Sequence, residues 1–450
     1  MSWLHDQTVA MNTRIAEAKA KKAFPFFRPF ENIGPRVKVG SGSYVNFTSN
    51  DYLGLSQSPK LIEAACAGTR RFGTGLGSAR PQATTTRHLE LERRLARWTG
   101  YQSCAVFTTG YQALVGVLQT FLDDETTVVL DKLSHASIID GILMAQGKSP
   151  DLEVRWFKHN DVKQLDTILG QSANAKKMVV IEGLYSVDGD IAPLAEMVEI
   201  ARKHGAVVVL DDAHGLGALG RTGRGVCEIT GVGTVDIVIG TFSKSFGTVG
   251  GFVCADTEIV DYLKMTARSF LFSATLPSAQ VEAALAALDV IEVRHDLFRK
   301  LEDNARFFRA GLTELGFDLG ESTTHISPLF IRDEMKTLMF GAYLFHAAEV
   351  VMMPFVSPGV AKGQERLRCN VTAVHTKDEM GYTLEALAVL GKMLDILPKT
   401  AKTRASNARR ISYLVKNKAA GLWSNGLPFL KHEFDTVREI RKQMQEQAAE

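Results

Sequence analysis

The chain has 450 residues, with 52 Lys and Arg against 50 Asp and Glu and 45% hydrophobic residues, so it can bury a large core while carrying a formal charge of only +2. This composition excludes a disordered chain, a collagen-like chain and a chain that binds nucleic acid through strong positive charge. At about 150 residues per domain, the length predicts two or three units.

Neither membrane insertion nor secretion is indicated. The sequence has no run of roughly 18 apolar residues, and its first residues lack the basic and apolar regions of a signal peptide. We therefore expect a cytoplasmic protein. The cysteines are odd in number and never spaced as Cys-x-x-Cys, which argues against a disulfide framework and a zinc site. We expect no metal site and expect all five to be core thiols: Cys66, Cys104, Cys227, Cys254 and Cys369.

Short β-branched runs alternate with helical patterns through the middle of the chain. Four runs are apolar enough to predict strands covered on both faces of a parallel sheet: 127–131, 178–182, 206–211 and 236–240. Between them, Leu194, Met197, Val198 and Ala201 follow Pro193 at helical spacing. This alternation predicts a large α/β domain over residues 50–290.

The remaining parts of the chain differ in character. Residues 291–398 are mixed and predict a smaller α+β domain, which the helix and arm of residues 1–49 are expected to join. Residues 399–450 form a basic C-terminal extension.

Polar side chains collect directly after the predicted strands, where open α/β sheets bind ligands. These segments are 131–135, 182–186, 211–214 and 241–245. Lys244 lies among small and apolar neighbours, which indicates a crowded site that lowers the pKa of the amine and lets it form an imine. Asp211 ends an earlier strand, and a carboxylate there could keep a pyridine nitrogen protonated. Together they are the two groups that pyridoxal phosphate (PLP) requires; alone, Lys244 would be interpreted as a solvated loop lysine.

A phosphate site is predicted where Thr109 precedes an apolar helical run, because Gly110 and Tyr111 can then offer backbone N–H groups at a helix N-terminus. A competing dinucleotide pattern, Gly-x-Gly-x-x-Gly, occurs at residues 215–220. Its first glycine lies four residues after Asp211 and the sequence continues as a turn, so we reject the Rossmann interpretation.

In this order, the motifs of the chain resemble those of the α-oxoamine synthases, PLP-dependent enzymes of the aspartate aminotransferase fold, type I. They are Phe47-Thr-Ser-Asn-Asp-Tyr-Leu-Gly54, His135-Ala-Ser-Ile-Ile-Asp-Gly141, Glu182-Gly-Leu-Tyr-Ser-Val-Asp-Gly-Asp190, Asp211-Asp-Ala-His-Gly215 and Gly240-Thr-Phe-Ser-Lys-Ser245. Within the family, Phe157-Lys-His-Asn160 and Arg366-Leu-Arg-Cys369 are most similar to bacterial serine palmitoyltransferase. The resemblance implies a mostly parallel seven-stranded sheet in the large domain and a homodimer with shared active sites.

The resemblance also implies a role for each site residue. Lys244 would hold the cofactor as an imine, Asp211 would pair with the pyridine nitrogen and His135 would stack on the ring, while His214 and Ser186 would hydrogen-bond its phenolic oxygen. The phosphate would be bound by Gly110, Tyr111, Thr241 and Ser243, and by Thr275 of the neighbouring subunit. Asn50 and Arg368 would hold the amino-acid carboxylate. For Glu182 we expect a role in anchoring the Ser186 loop, and for His159 and His375 structural roles.

The implied reaction joins an amino acid to an acyl thioester with loss of CO2, giving an α-aminoketone. Three hypotheses follow. The first, which we prefer, is L-serine with a long-chain acyl group; the others are glycine or alanine with another acyl group, and a silent partner subunit. The last is disfavoured because Lys244, Asp211 and His135 are all present. The thiol carrier, coenzyme A or an acyl carrier protein, is left open.

Two features depart from the family. The stretch 78–88, near the acyl-donor entrance in relatives, is one residue short and lacks the usual glycine, which Ala83 or Thr84 replaces. The tail 401–450 has ten Lys and Arg against five Asp and Glu. Its helical apolar spacing predicts an amphipathic helix that packs on the enzyme itself, docks an acidic carrier protein or lies on an anionic inner membrane surface.

Overall fold

The computed structural model describes residues 2–20, 24–357 and 359–398. Its strands are β1 (Arg36–Val39), β2 (Gly42–Asn46), β3 (Ser103–Phe107), β4 (Thr126–Asp131), β5 (Glu153–Phe157), β6 (Lys176–Glu182), β7 (Val207–Asp211), β8 (Ile237–Thr241), β9 (Gly251–Ala255), β10 (Ile326–Phe330), β11 (Val350–Val351), β12 (Met353–Phe355) and β13 (Arg366–Asn370). Its helices are α1 (Trp3–Ala20), α2 (Pro59–Phe72), α3 (Thr86–Thr99), α4 (Gly110–Phe121), α5 (Ala136–Gln146), α6 (Val162–Gln171), α7 (Leu194–Lys203), α8 (Gly225–Thr230), α9 (Thr257–Thr266), α10 (Arg268–Leu271), α11 (Ser278–Val293), α12 (Asp296–Leu315), α13 (Glu334–Ala348) and α14 (Lys377–Met393).

A seven-stranded sheet in the order β3-β9-β8-β7-β6-β4-β5 forms the centre of the structure. The pairs from β5 to β8 are parallel, and β9 is antiparallel to both of its neighbours. The four strands predicted from the apolar runs are all present and lie side by side in it. The α/β class and the mostly parallel seven-stranded sheet are therefore confirmed.

Apolar cores cover both faces of this sheet. In β4, Val129 packs into one core while Val128 and Leu130, which point the opposite way, pack into the other. Each of these three side chains is fully buried. The continuous β-branched runs follow from this arrangement, because a strand covered on both faces has no position that favours a polar residue.

Two three-stranded sheets lie outside this central sheet. β10, β13 and β12 form an antiparallel sheet, and β11 adds in parallel to the β1–β2 hairpin. Val45 and Phe47 share a buried core with Phe308 and Leu367. That contact is the one expected if residues 1–49 join the smaller domain, although the domain limits at 49, 290 and 398 stay a prediction.

One prediction about the cysteines is wrong. Four cysteines are buried, but Cys66 is exposed, so the prediction of a core thiol is wrong there.

Residues 215–220 form turns closed by a bridge between Leu216 and Arg224, which agrees with rejecting a dinucleotide helix. Within 2–20, 24–357 and 359–398, no helix is long and apolar enough to cross a membrane. The basic extension 399–450 lies outside the described residues.

The unusual stretch 78–88 is anchored by a buried ion pair. Arg80 Nη1 donates to Glu92 Oε1 at 3.0 Å, and the two side chains are 6% and 5% exposed. Glu92 also accepts hydrogen bonds from the Val106 backbone N–H at 3.1 Å and from Lys264 Nζ at 2.9 Å. No described residue of this stretch has a positive φ, so replacing the family's glycine causes no backbone strain here.

We predict that Glu92→Leu lowers the free energy of unfolding by about 3–5 kcal/mol, because it leaves the Arg80 guanidinium buried without its counter-charge. Denaturant unfolding followed by circular dichroism measures this. The control is Glu302→Gln, which breaks an exposed i,i+4 pair with Arg306 and should cost less than about 1 kcal/mol. Equal losses in the two variants would contradict the prediction.

Candidate active site

The carboxyl ends of neighbouring parallel strands bring the acidic residues together. Asp131 ends β4, Glu182 ends β6 and Asp211 ends β7. Glu182 and Asp211 are register partners, and the Gly183 N–H donates to the Asp211 carbonyl at 2.8 Å. Because side chains alternate along a strand, register partners lie on the same face of the sheet. Two carboxyl groups are thus adjacent at a buried sheet edge.

Lys244 lies on the turn that follows β8 and faces these carboxyl groups. Burial lowers the pKa of its amine to about 8, although the negative charges of Asp211 and Glu182 oppose that shift. Asp211 is 6% exposed and accepts the Ala213 N–H at 3.0 Å through Oδ1. A lysine that readily becomes neutral, next to a buried carboxylate, meets the requirements of imine chemistry.

The predicted phosphate residues surround the start of α4. The Thr109 side chain accepts the Gln112 N–H at 3.1 Å, so the first N–H groups of the helix, at Gly110 and Tyr111, have no acceptor within the helix. Thr241 Oγ1 lies 2.8 Å from Ser243 Oγ, and an added Cβ at Gly110 would lie only 3.2 Å from Thr241 Cβ. The free N–H donors of Gly110 and Tyr111 fit the binding of a phosphate group, and so does the close approach that the missing side chain of Gly110 allows.

Two predicted phosphate ligands, Thr275 and Tyr111, differ in which of their hydrogen-bond donors are free. The Thr275 hydroxyl is buried without a hydrogen-bond partner among the described residues, while its N–H donates to the Ser78 carbonyl at 3.0 Å. The Tyr111 hydroxyl instead donates to Asp140 at 2.8 Å, at the surface. Only the Tyr111 backbone is therefore a candidate phosphate ligand, and Thr275 has a free donor for one.

His135 is the N-cap residue of α5, and its imidazole is exposed. Its backbone N–H donates to Glu182 Oε1 at 2.5 Å, and its Nδ1 lies 2.6 Å from Ser137 Oγ. Glu182 therefore contacts the loop that carries His135, where we had expected it to anchor the Ser186 loop. Burial and the Asp211 charge raise the pKa of Glu182 well above its usual value.

Tyr52 is a site residue that the sequence analysis missed. Its Oη lies 2.6 Å from His214 Nδ1, and both side chains are buried. Burial lowers the pKa of His214 well below its usual value and raises that of Tyr52, so both groups are neutral. The Tyr52 hydroxyl also donates to Asn50 Oδ1 at 3.3 Å, so Tyr52 connects His214 to the Asn50 segment. Tyr52 belongs to the motif Phe47–Gly54, but nothing in the sequence connects it to a histidine 162 residues away.

Asn50 and Arg368, though far apart in sequence, are in contact. Arg368 Nη2 donates to Asn50 Oδ1 at 3.3 Å, and Arg368 Nη1 donates to the Ser186 carbonyl at 2.9 Å. Burial lowers the pKa of Arg368, and Asn370 Nδ2 also donates to Asn50 Oδ1 at 2.9 Å. The predicted carboxylate-binding pair and the predicted Ser186 therefore form one cluster, in which the arginine remains a cation with donors to spare.

The remaining histidines make protein contacts. His375 Nδ1 lies 3.0 Å from the donating Thr372 N–H, its Nε2 lies 3.1 Å from the Asn46 carbonyl, and its ring stacks on Phe47. This is consistent with a structural role. His159 contacts the carboxylates of Asp131 and Asp190.

The sequence comparisons agree with this geometry. The family model of aminotransferase class I and II matches residues 43–387. An 8-amino-7-oxononanoate synthase of Thermoanaerobacter pseudethanolicus is 37% identical over 402 residues, which cover 88% of this chain and 100% of the relative. The family-model match includes every site segment described above.

Solved structures of the same family superimpose on the chain. A serine palmitoyltransferase of S. paucimobilis with bound PLP and myriocin aligns with a TM-score of 0.83 at 31% identity, covering 88% of this chain and 100% of that one. An 8-amino-7-oxononanoate synthase of Francisella tularensis aligns with a TM-score of 0.67 at 26% identity, covering 78% and 98%. The chain therefore belongs to the PLP-dependent α-oxoamine synthases, enzymes with the aspartate aminotransferase fold.

Proposed function

We propose that the chain condenses a small amino acid, alanine or glycine, with an acyl thioester and releases CO2, the free thiol and an α-aminoketone. The observation that carries this proposal is the cluster of a half-buried Lys244 facing Asp211, with the Arg368–Asn50 pair beside it. When bound, PLP supplies an aldehyde for the amino group and a ring that accepts electrons from Cα.

In this proposal each residue of the chain has a separate task. The Arg368 guanidinium and Asn50 bind the amino-acid carboxylate and so orient the Cα–H bond. The Lys244 amine, once it is free of the cofactor, removes the Cα proton as a general base, for which a pKa of about 8 is well suited near neutral pH. Asp211 would keep the pyridine nitrogen of PLP protonated, and His214 and Ser186 would hydrogen-bond its phenolic oxygen.

The substrate choice changes from the serine expected on sequence grounds. The T. pseudethanolicus relative is named an 8-amino-7-oxononanoate synthase, and so is a Bacillus subtilis protein that is 38% identical over 367 residues. Such a product corresponds to alanine joined to a seven-carbon dicarboxylic acyl group after loss of CO2. The 31% identity of the aligned serine palmitoyltransferase is lower, so serine with a long-chain acyl thioester becomes the second candidate.

A homodimer with shared sites is part of the proposal. Large apolar side chains are exposed close in sequence to predicted site residues, with Phe272 at 73%, Val249 at 51% and Leu133 at 47% exposure. Burying such side chains against a second copy would remove apolar surface from water. Phe272 lies three residues from Thr275, whose free hydroxyl would then reach the partner's phosphate site.

The substrate proposal is tested by measuring thiol release from the holoenzyme with serine, glycine and alanine in turn. Each amino acid is combined with coenzyme A and carrier-protein thioesters of graded length, some of them ending in a carboxylate. We expect kcat/KM to be highest with alanine or glycine. A preference for serine with long-chain donors would favour the second candidate, and no thiol release with any pair would contradict the proposal.

Lys244→Ala tests the proposed catalytic lysine. Removing the general base should lower kcat by about 10²–10⁴-fold or more, and the absorbance of lysine-bound PLP should disappear. The control is Lys203→Ala, because Lys203 forms an exposed ion pair with Asp166 on the surface of the large domain. Full activity in Lys244→Ala would rule out the role assigned to this residue.

Truncation after Pro398 tests the tail, whose role rests on sequence alone. If the basic extension docks a carrier protein or an anionic membrane, binding to acidic acyl carrier protein or to anionic vesicles should fall while PLP binding is retained. Sedimentation with vesicles and titration with carrier protein measure the two cases. Unchanged binding in both would leave packing on the enzyme itself as the remaining role.

A further inference from the structure

His159 makes hydrogen bonds to two carboxylates that belong to different active-site segments. Its Nδ1 lies 3.1 Å from Asp131 Oδ1, and its Nε2 lies 2.8 Å from Asp190 Oδ2. Asp131 ends β4, and Asp190 closes the turn after β6. An imidazole with an acceptor at each nitrogen must carry a proton at each nitrogen to satisfy both bonds.

Asn160 extends the same connection at some conformational cost. Its φ is 55°, in the left-handed region that asparagine tolerates better than most residues. This conformation lets its backbone N–H donate to Asp131 Oδ2 at 2.9 Å and its Nδ2 donate to Asp190 Oδ2 at 2.8 Å. Two successive residues thus connect the same two carboxylates. We call this double connection, from His159 and Asn160 to Asp131 and Asp190, the bridge.

On one side, the bridge holds the segment that carries His135. Asp131 Oδ1 accepts the Leu133 N–H at 2.7 Å, and the Asp131 carbonyl accepts the Ser134 N–H at 3.1 Å. The next residue is His135, whose N–H is held by Glu182. The position of the His135 ring therefore depends on where the Asp131 carboxylate is fixed.

On the other side, the bridge holds the turn that carries Ser186. The Tyr185 N–H donates to the Asp190 carbonyl at 3.1 Å, and the Gly189 N–H donates to the Tyr185 carbonyl at 2.8 Å, so the turn is closed. Arg366 pairs with Asp188 and Arg368 donates to the Ser186 carbonyl on the far side of this turn. His159 also holds this turn, through its hydrogen bond to Asp190.

We propose that His159, with Asn160, is a positioning residue that sets the distance between the His135 loop and the Ser186 turn. This rests on the proposed function, in which Ser186 contacts the phenolic oxygen of the cofactor, and on the stacking of His135 on the cofactor ring that the family resemblance implies. In this proposal His159 acts through Asp131 and Asp190 and not directly on the cofactor or the substrate. Its loss changes the orientation of the bound cofactor.

The charge of His159 gives the bridge a pH dependence. Burial disfavours its protonation, but the hydrogen bonds and charges of Asp131 and Asp190 outweigh burial and raise its pKa to about 10. The ring also meets the edge of Tyr185, a neutral group, with 4.5 Å between centroids. A raised pKa contributes stability that is complete below the unfolded value of about 6.5 and is lost as pH rises through about 10.

The test compares the holoenzyme with His159→Gln and Asp190→Asn, each alone and combined. The matched control is His204→Gln, because His204 Nε2 also lies 2.6 Å from a carboxylate, that of Asp166, which lies on α6 outside both active-site segments. The readouts are backbone hydrogen exchange over residues 131–137 and 185–190, visible circular dichroism of bound PLP, and the kcat and KM of thiol release.

We expect faster exchange in both segments, an altered PLP dichroism and a fall in kcat of about 10- to 10²-fold in His159→Gln, since small misplacements of site groups cost this much. The double variant should lose little more than His159→Gln alone, because the two changes break one bridge. The melting temperature difference from wild type should be largest near pH 6 and shrink towards pH 10.

If His159→Gln does not fold, Asp190→Asn, which keeps the Asp131 contact, provides the same readouts. Exchange and PLP dichroism that match those of His204→Gln would overturn the bridge while leaving the proposed function intact. A wild type that binds no PLP or releases no thiol would instead refute the proposed function, and the exchange data would still test the bridge.

Discussion

The pairing of parallel strands β4, β6, β7 and β8 is the constraint on which the rest of the site depends. Because their directions agree and their register is fixed, four successive crossovers deliver their last residues to one edge of the sheet. Glu182 and Asp211 meet there as direct partners, and Lys244 arrives on the turn after β8. A slip of one residue in β7 would turn the Asp211 side chain to the opposite face.

Burial then determines the chemistry of these groups. Glu182, Asp211 and His214 are each at most 6% exposed at the carboxyl edge of the sheet, so their ionisation depends mainly on burial and on neighbouring charges. The pKa of Lys244 falls to about 8 and that of Glu182 rises, while the nearby His214 stays neutral. Desolvation makes an isolated buried charge unfavourable, and for the same reason it favours the neutral, reactive form of the Lys244 amine.

Connections between distant parts of the chain complete the site. Arg368 on β13 reaches both Asn50 and the Ser186 carbonyl, which links the smaller sheet to the turn after β6. Tyr52 joins the Asn50 segment to His214, and His159 joins the ends of β4 and the Ser186 turn. The positions of Asn50, Ser186 and His214 thus depend on hydrogen bonds from residues that are distant in the sequence.

The sequence by itself determined the α/β class, the central strands, the helix start at Gly110 and the family motifs, because these depend on local periodicity and on residues adjacent in the chain. Only the tertiary structure decided that Tyr52 serves His214, that Glu182 holds the His135 loop, that Cys66 is exposed and that Tyr111 faces the surface. Those facts depend on which side chains meet across elements 47 to 162 residues apart or face solvent, and a hydrogen bond of that kind leaves no periodic pattern in the sequence.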